Sequence, residues 1–240
     1  MATELLLTGL LLADHHTTVT STLSNMCERG EAFSLSEKVV KRRGAATGDV
    51  RIRVRALRLK SEQLSSPAGD ATRWSLTVLH KPEPARISPS ALQYSVSEIS
   101  IRGGVHPEEL AHAFGFEEQE FELKKRGTRW ERSGVLIEVF QLFPDEISLA
   151  PLDPKTFVVQ ASVRFSQPAP SSSASSASAP SGMKSVPNIT RTSTPNPGTQ
   201  SQPAVGGGGK SGQEERDRAL NALEAIKKAL KGVVDLKRME

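Results

Sequence analysis

Between Phe157 and Phe165 the side chains alternate without a break. Phe157, Val159, Ala161, Val163 and Phe165 fall on one side of an extended chain, and Val158, Gln160, Ser162 and Arg164 on the other. A two-residue period over that length describes an antiparallel strand with one face against a core. The pattern recurs upstream. Within Val50 to Leu59, Ile52 and Val54 face one way while Arg51, Arg53 and Arg55 face the other. Phe33 to Arg43, Arg73 to Leu79 and Leu92 to Ile101 read as further strands, and Glu120 to Trp130 and Val135 to Phe143 flank Ser133-Gly134 as a hairpin. The apolar run Glu4 to Leu12 invites comparison with a secretory leader. It is too short to span a bilayer, carries Glu4 where a leader is basic, and has no small-residue cleavage pattern, so it reads as a buried strand. About eight strands with few helices place the chain in a mainly β (α+β) class, built as an antiparallel β-barrel or sandwich.

Three helices are expected. Val19, Leu23, Met26 and Cys27 fall at helical spacing, with Asp14 or Thr17 as cap and Gly30 as stop. Pro107 to Gly115 opens on proline, carries acids in its first turn and ends on glycine. Glu214 to Lys231 bears the stripe Ala219, Leu223, Ile226 and Leu230 opposite a charged face. That stripe has to return to the sheet to be buried. Gly232 would end the helix, and Val233 to Leu236 offers one more short strand. Composition divides the chain between these elements. Residues 166–213 are dominated by Ser, Ala, Pro, Thr and Gly, and cannot bury enough apolar surface to offset their ordering entropy. The expected organisation is a barrel over 1–165, a disordered insertion over 166–213, and a helix with a short strand over 214–240 that complete the same barrel.

Chemistry-bearing motifs are sparse. Cys27 is the single cysteine, so no internal disulfide forms and a reducing compartment is expected. His106 and His112 do not share a helix face, His15 and His16 are adjacent, and no metal site emerges from them. No Gly-x-Ser-x-Gly elbow occurs. Ala204 to Ser211 nearly matches a phosphate-binding loop, but Ala204 replaces the first glycine and no strand precedes it. Asn188-Ile189-Thr190 matches a glycosylation acceptor with no secretory route to use it.

Net charge is +4, with basic residues concentrated between Lys38 and Lys60. Such a cluster serves nucleic acid, nuclear import or a solvated strand face. Few aromatics interleave with it, so no base-stacking platform is indicated. In Glu120-Phe121-Glu122-Leu123-Lys124 a strand would project Glu120, Glu122 and Lys124 to one side. Two such carboxylates can hold a hard divalent cation, and the lysine and the row Arg51, Arg53 and Arg55 can touch phosphate. Together they sketch a polar tunnel. The simpler reading, and the preferred one, is a charged strand face in solvent that guards against aggregation.

Several stretches carry a family resemblance by their order and spacing. They are Leu5 to Gly9, Asp14-His15 with the helix ending Met26-Cys27-Glu28, and Trp74-Ser75-Leu76. Phe114-Gly115-Phe116, Glu120-Phe121, Lys125-Arg126-Gly127, Val135 to Phe140 and the terminal Leu230 to Met239 complete the set. On these, the chain resembles the subunit 18 family of the Mediator complex, from its head module. None is a catalytic signature. The resemblance implies a β-barrel related to the triphosphate tunnel enzymes. It implies a heterodimer with Mediator subunit 20, capture of the C-terminal helix of Mediator subunit 8, and contact with other head-module subunits and RNA polymerase II. A nuclear location follows, with neither membrane nor sequence-specific nucleic acid as partner. Tunnel enzymes place Glu-x-Glu-x-Lys on the first strand, where this chain offers Glu4, Leu6 and Thr8. The literal match at Glu120 to Lys124 lies in a later strand, while Arg51, Arg53 and Glu138 resemble fragments of the enzyme pattern. The expectation is a non-catalytic scaffold without cofactor or metal. Arg51, Arg53, Arg55, Glu120, Glu122, Lys124 and Glu138 would be the vestigial lining of an ancestral tunnel. The alternative is a divalent-metal-dependent triphosphate tunnel phosphohydrolase.

Overall fold

A computed structural model describes residues 2–28, 30–44, 50–60, 72–101, 106–145, 147–166 and 210–239. The strands are β1 (Ala2–Leu12), β2 (Glu31–Arg42), β3 (Arg51–Lys60), β4 (Arg73–Leu79), β5 (Leu92–Ile101), β6 (Phe116–Arg132), β7 (Val135–Phe143) and β8 (Thr156–Ser166). They close into an antiparallel barrel in the order β1-β5-β4-β3-β2-β6-β7-β8. Closure is made by β1 against β8, paired in register from Ala2↔Ser166 to Leu12↔Thr156. Full closure leaves no strand edge to template aggregation. The antiparallel barrel expected from the alternating pattern is therefore the fold of the protein.

The helices are α1 (His16–Met26), α2 (Pro107–Ala113) and α3 (Lys210–Ala229), with a single 3₁₀ turn at Ala13–His15 before α1. All three lie on the outside of the barrel, where apolar outward positions of β1, β7 and β8 and of β3 and β4 need cover. Leu5, Leu7 and Leu11 of β1, Ile137 and Val139 of β7, and Val159 and Ala161 of β8 form one buried cluster with Val19 and Leu23 of α1 and Leu223, Ile226 and Leu230 of α3. A second cluster joins Ile52, Val54 and Leu76 to Ala111 of α2. Helical stripes thus cover what would otherwise be exposed sheet.

Several boundaries differ from the sequence reading. β6 starts at Phe116, shortly after α2 and Gly115 (φ +80°), because Phe116, Glu118 and Gln119 pair with β2 across two irregularities despite having no apolar alternation. Neither Asp14 nor Thr17 caps α1. The chain enters it through the 3₁₀ turn, with His15 at the N-cap and no side-chain bond, and leaves it at the extended Cys27, before Gly30. Gly30 matters for space instead, since a Cβ there would lie 2.5 Å from Trp130 Nε1. α3 begins at Lys210, and Gly232 (φ +93°) follows its end. Val233 to Leu236 forms no strand. The segment crosses over Gly9, where a Cβ would meet Val234 Cγ1 at 2.7 Å, and then makes one bridge, Lys237 to Thr8. Of the expected insertion, Ser166 belongs to β8 and 210–213 to α3. The stretch 167–209, with Asn188 and most of the near phosphate-loop match, lies outside the described residues.

Gly127 is the tightest point in the wall. A Cβ there would stand 2.0 Å from the Val139 carbonyl oxygen and 2.6 Å from Phe140 Cα, both backbone atoms of β7. Its absence lets β6 and β7 approach while Phe33 and Phe140 meet edge to face with ring centroids 6.4 Å apart. Gly127→Ala is expected to lower the unfolding free energy by about 1–3 kcal/mol, toward the upper end because backbone has to move. Urea unfolding reads it, and an unchanged midpoint would mean that the two strands tolerate separation.

Candidate functional site

The inward faces of the strands carry charged side chains beside apolar ones, so the barrel is only partly filled by its own apolar side chains. Arg53 and Arg55 alternate with the outward Ile52 and Val54, so they point into the lumen, and Glu37 meets them from β2. Glu37 is 3% exposed. Its carboxylate accepts a hydrogen bond from Arg55 Nε at 3.2 Å. It also stands 3.0 Å from Arg53 Nε, whose N–H is not satisfied by this contact, so that one is an ion pair alone. Lys125 Nζ lies 3.9 Å away and sits over the Phe140 ring at 4.9 Å. Burial by itself would raise the Glu37 pKa, but Lys125, Arg53 and Arg55 outweigh it and hold the carboxyl below the usual range. Burial drives the Lys125 ammonium the other way, below an ordinary lysine.

Two more cross-strand pairs repeat the arrangement. Arg129 donates to Glu31 directly opposite it at 3.1 Å. Arg164 donates to Glu4, its partner across β1 and β8, at 3.2 Å, and also to Glu98. Tyr94, opposite Glu4 on β5, has its phenol pushed up to about 12 by burial and by Glu4. Glu138, 5% exposed, makes no ion pair or hydrogen bond among the described residues, and burial raises its pKa against the pull of Arg55, Lys125 and Arg129. Part of the lumen is filled by Phe33, Leu35 and Phe140 with Leu57, Leu142 and Val158 packed on them. The remainder is a cavity of about 530 Å³ walled by Glu4, Arg55, Glu98, Arg129, Glu138, Gln160 and Arg164 among others.

The candidate residues read from the sequence separate in space. Arg53 and Arg55 meet at Glu37 inside the barrel, and Glu138 faces Arg55 there. Arg51 pairs with Glu120 at 3.1 Å, where a bulge between Val39 and Val40 interrupts the β2–β6 register. Glu122 and Lys124 face outward, so they do not line the lumen. Lys124 Nζ is 2.6 Å from Glu122 and donates to Ser36, and the adjacent Lys38 pairs with Glu108 of the external helix α2. Their alternation puts Phe121, Leu123 and Lys125 on the opposite side, which is why Lys125 rather than Lys124 enters the lumen. The sequence reading missed Glu31, Glu37, Tyr94, Glu98, Lys125, Arg129 and Arg164 as lining residues. The structure sets Glu37 opposite Arg55, Glu31 opposite Arg129 and Glu4 opposite Arg164, and the only trace of this in the sequence is a lone acid on an apolar stretch of strand face, as at Glu37 between Leu35 and Val39.

These residues do not fit a catalytic divalent cation. No group of three acids, histidines or cysteines converges to hold one among the described residues. Glu4, Glu31, Glu37 and Glu98 already accept from arginines. The next two inward positions on β1 are Leu6 and Thr8, which add no carboxylate and no ammonium.

This barrel has structural relatives. A chain in the Mediator head module of Schizosaccharomyces pombe shares it. That likeness has a TM-score of 0.62 at 14% identity and covers 99% of this chain and 98% of that one. The PH1819 protein of Pyrococcus horikoshii OT3 follows with a TM-score of 0.53 at 14% identity, covering 99% and 94%. A Hippeastrum protein described as having a dominant triphosphatase activity has a TM-score of 0.41 at 9% identity, covering 68% and 80%. No family model and no curated protein matches the sequence. With the first two, at 14% identity, what is shared is the fold.

Proposed function

We propose that the protein is a non-catalytic interaction subunit of the Mediator complex, acting on RNA polymerase II transcription through protein–protein contacts in the nucleus. The observation that carries this reading is the internal neutralisation of the lumen. Arg53, Arg55 and Lys125 stand against Glu37, Arg129 against Glu31, and Arg164 against Glu4 and Glu98, so each of these five bases faces a protein carboxylate. A tunnel built for triphosphate needs free cations and a metal carboxylate set. Here the cations are engaged by protein carboxylates, and displacing those would cost the desolvation of each. Near-complete coverage of a Mediator head-module chain supports the same reading.

Exposed apolar side chains favour a binding role as well. Ile147, Leu149 and Leu152 are 89%, 93% and 63% exposed, on a β7–β8 connection held by Arg126 Nη1 donating to Ser148 O and Asp145 accepting from Ile147 N. Three large apolar residues shown to water on one connection fit a surface covered by a partner. Mediator subunit 20, the C-terminal helix of subunit 8 and other head-module subunits are the partners proposed on the family resemblance.

The tunnel phosphohydrolase is the second reading, favoured by the arginines in the lumen. A turnover assay with tripolyphosphate and manganese separates the two. The expected result is phosphate release no faster than the buffer control. Release that is abolished by Arg53→Ala or Glu4→Gln in a folded chain would replace the scaffold reading with the enzymatic one.

A further inference from the structure

The cavity is more acidic than the lumen as a whole. Arg53 and Lys125 turn to Glu37 and do not line it, whereas Glu28 and Glu131 are added at its mouth. Six glutamates therefore line the space against three arginines. Glu28 and Glu131 are exposed and tied together by Glu28 N donating to Glu131 O at 3.1 Å. Deeper in, Glu138 is buried with its carboxylate on the cavity wall and no hydrogen bond or ion pair among the described residues. Its cross-strand neighbours are Arg129 and Gln160, and the cations that reach it electrostatically are already engaged elsewhere, Arg129 by Glu31 and Arg55 and Lys125 by Glu37. A buried carboxylate left without a partner is costly, and such groups in native structures call for a ligand or another explanation.

We propose that this cavity receives a basic side chain, arginine or lysine, from a protein segment that enters past Glu28 and Glu131 and pairs with Glu138. The acids are spread around the walls and do not converge on one point, which suits the separated donors of a guanidinium or ammonium chain and not a bare metal ion. The volume of about 530 Å³ admits a side chain with part of its backbone. Selectivity is built in, because the full chain carries a net charge of +4 and as a whole repels a basic ligand. Attraction has to come from this local field. The inference deepens the interaction-subunit reading by naming what its barrel interior would hold, but cation capture stands or falls on its own chemistry.

The test is fluorescence anisotropy of the full chain with a fluorescein-labelled, amidated hexa-arginine peptide, against the same peptide with citrulline at all six positions. Arginine binding should exceed citrulline binding roughly tenfold or more, and Glu138→Gln should remove most of that difference. Glu138→Gln should leave the melting temperature unchanged or raise it, since it deletes an unpaired buried charge, so weak binding cannot be blamed on misfolding. Glu131→Gln, at the exposed mouth, should weaken binding less and mainly at low salt. Equal affinity of wild type and Glu138→Gln for the arginine peptide would overturn the proposal, as would equal binding of the two peptides. If the peptide binds as stated and tripolyphosphate is nonetheless hydrolysed, the capture site survives and the non-catalytic reading fails.

Discussion

Glu37→Gln is expected to remove about 3–5 kcal/mol from the unfolding free energy, the loss typical of breaking a buried charge cluster from one side. Glutamine keeps the shape and one acceptor but no charge. Arg53 and Arg55 on β3 and Lys125 on β6 would then face one another across β2 with no negative charge between them. Burial already depresses the Lys125 pKa, so losing its counter-charge leaves deprotonation as the easiest relief. Lys125→Met introduced on top of Glu37→Gln should recover part of the loss, which a double-mutant cycle reads as coupling. The pH dependence has a defined sign. The Glu37 pKa is lower folded than unfolded, so its contribution is complete above its unfolded pKa, close to 4.5, and disappears as pH falls through the lower folded value. Glu138 is raised, and its effect runs the other way, with stability gained as pH falls through its folded pKa toward 4.5. Urea titrations from pH 7 to pH 3 should show wild type losing more stability than Glu37→Gln at the acid end. Parallel curves would mean that Glu37 is not held as a buried anion.

Removing residues 210–240 is the second large effect. Leu223, Ile226, Leu230, Val234 and Leu236 are each 3% exposed or less, and all pack on the outer faces of β1, β7 and β8. At about 1.5–3 kcal/mol for each buried apolar side chain, their loss amounts to roughly 7–15 kcal/mol, the whole stability of an ordinary domain. Polar anchors go with them, since Arg238 Nη2 donates to Glu83 O at 2.9 Å and Lys237 N to Thr8 O at 3.0 Å. The truncated chain should therefore lose the near-ultraviolet circular dichroism of Trp130 and bind ANS. A cooperative melt close to that of the full chain would show that the barrel stands without this segment.

The strands were legible because a two-residue period needs no tertiary knowledge, and β4, β5 and β7 begin and end where the pattern does. The start of β6 was hidden because Glu117 to Glu120 has no alternation, and its pairing comes from β2 and a bulge. The lumen was harder still. Alternation tells two faces apart but not which one is inside, and a charged face reads by default as solvent. Closure and three covering helices reverse that default here, so Glu37 and Lys125 are interior while the more conspicuous Glu122 and Lys124 are not. The irregularity at Val39/Val40 separates Glu120 from Glu122 and Lys124, and bulges leave no mark in a local pattern.

The central claim is that this barrel works by holding another protein. Multi-angle light scattering on the full chain mixed with Mediator subunit 20 tests it most directly. A single peak at the mass of a one-to-one complex, with less self-association than the chain shows alone, is the predicted result. Two independent peaks from a chain that is already monodisperse by itself would contradict it.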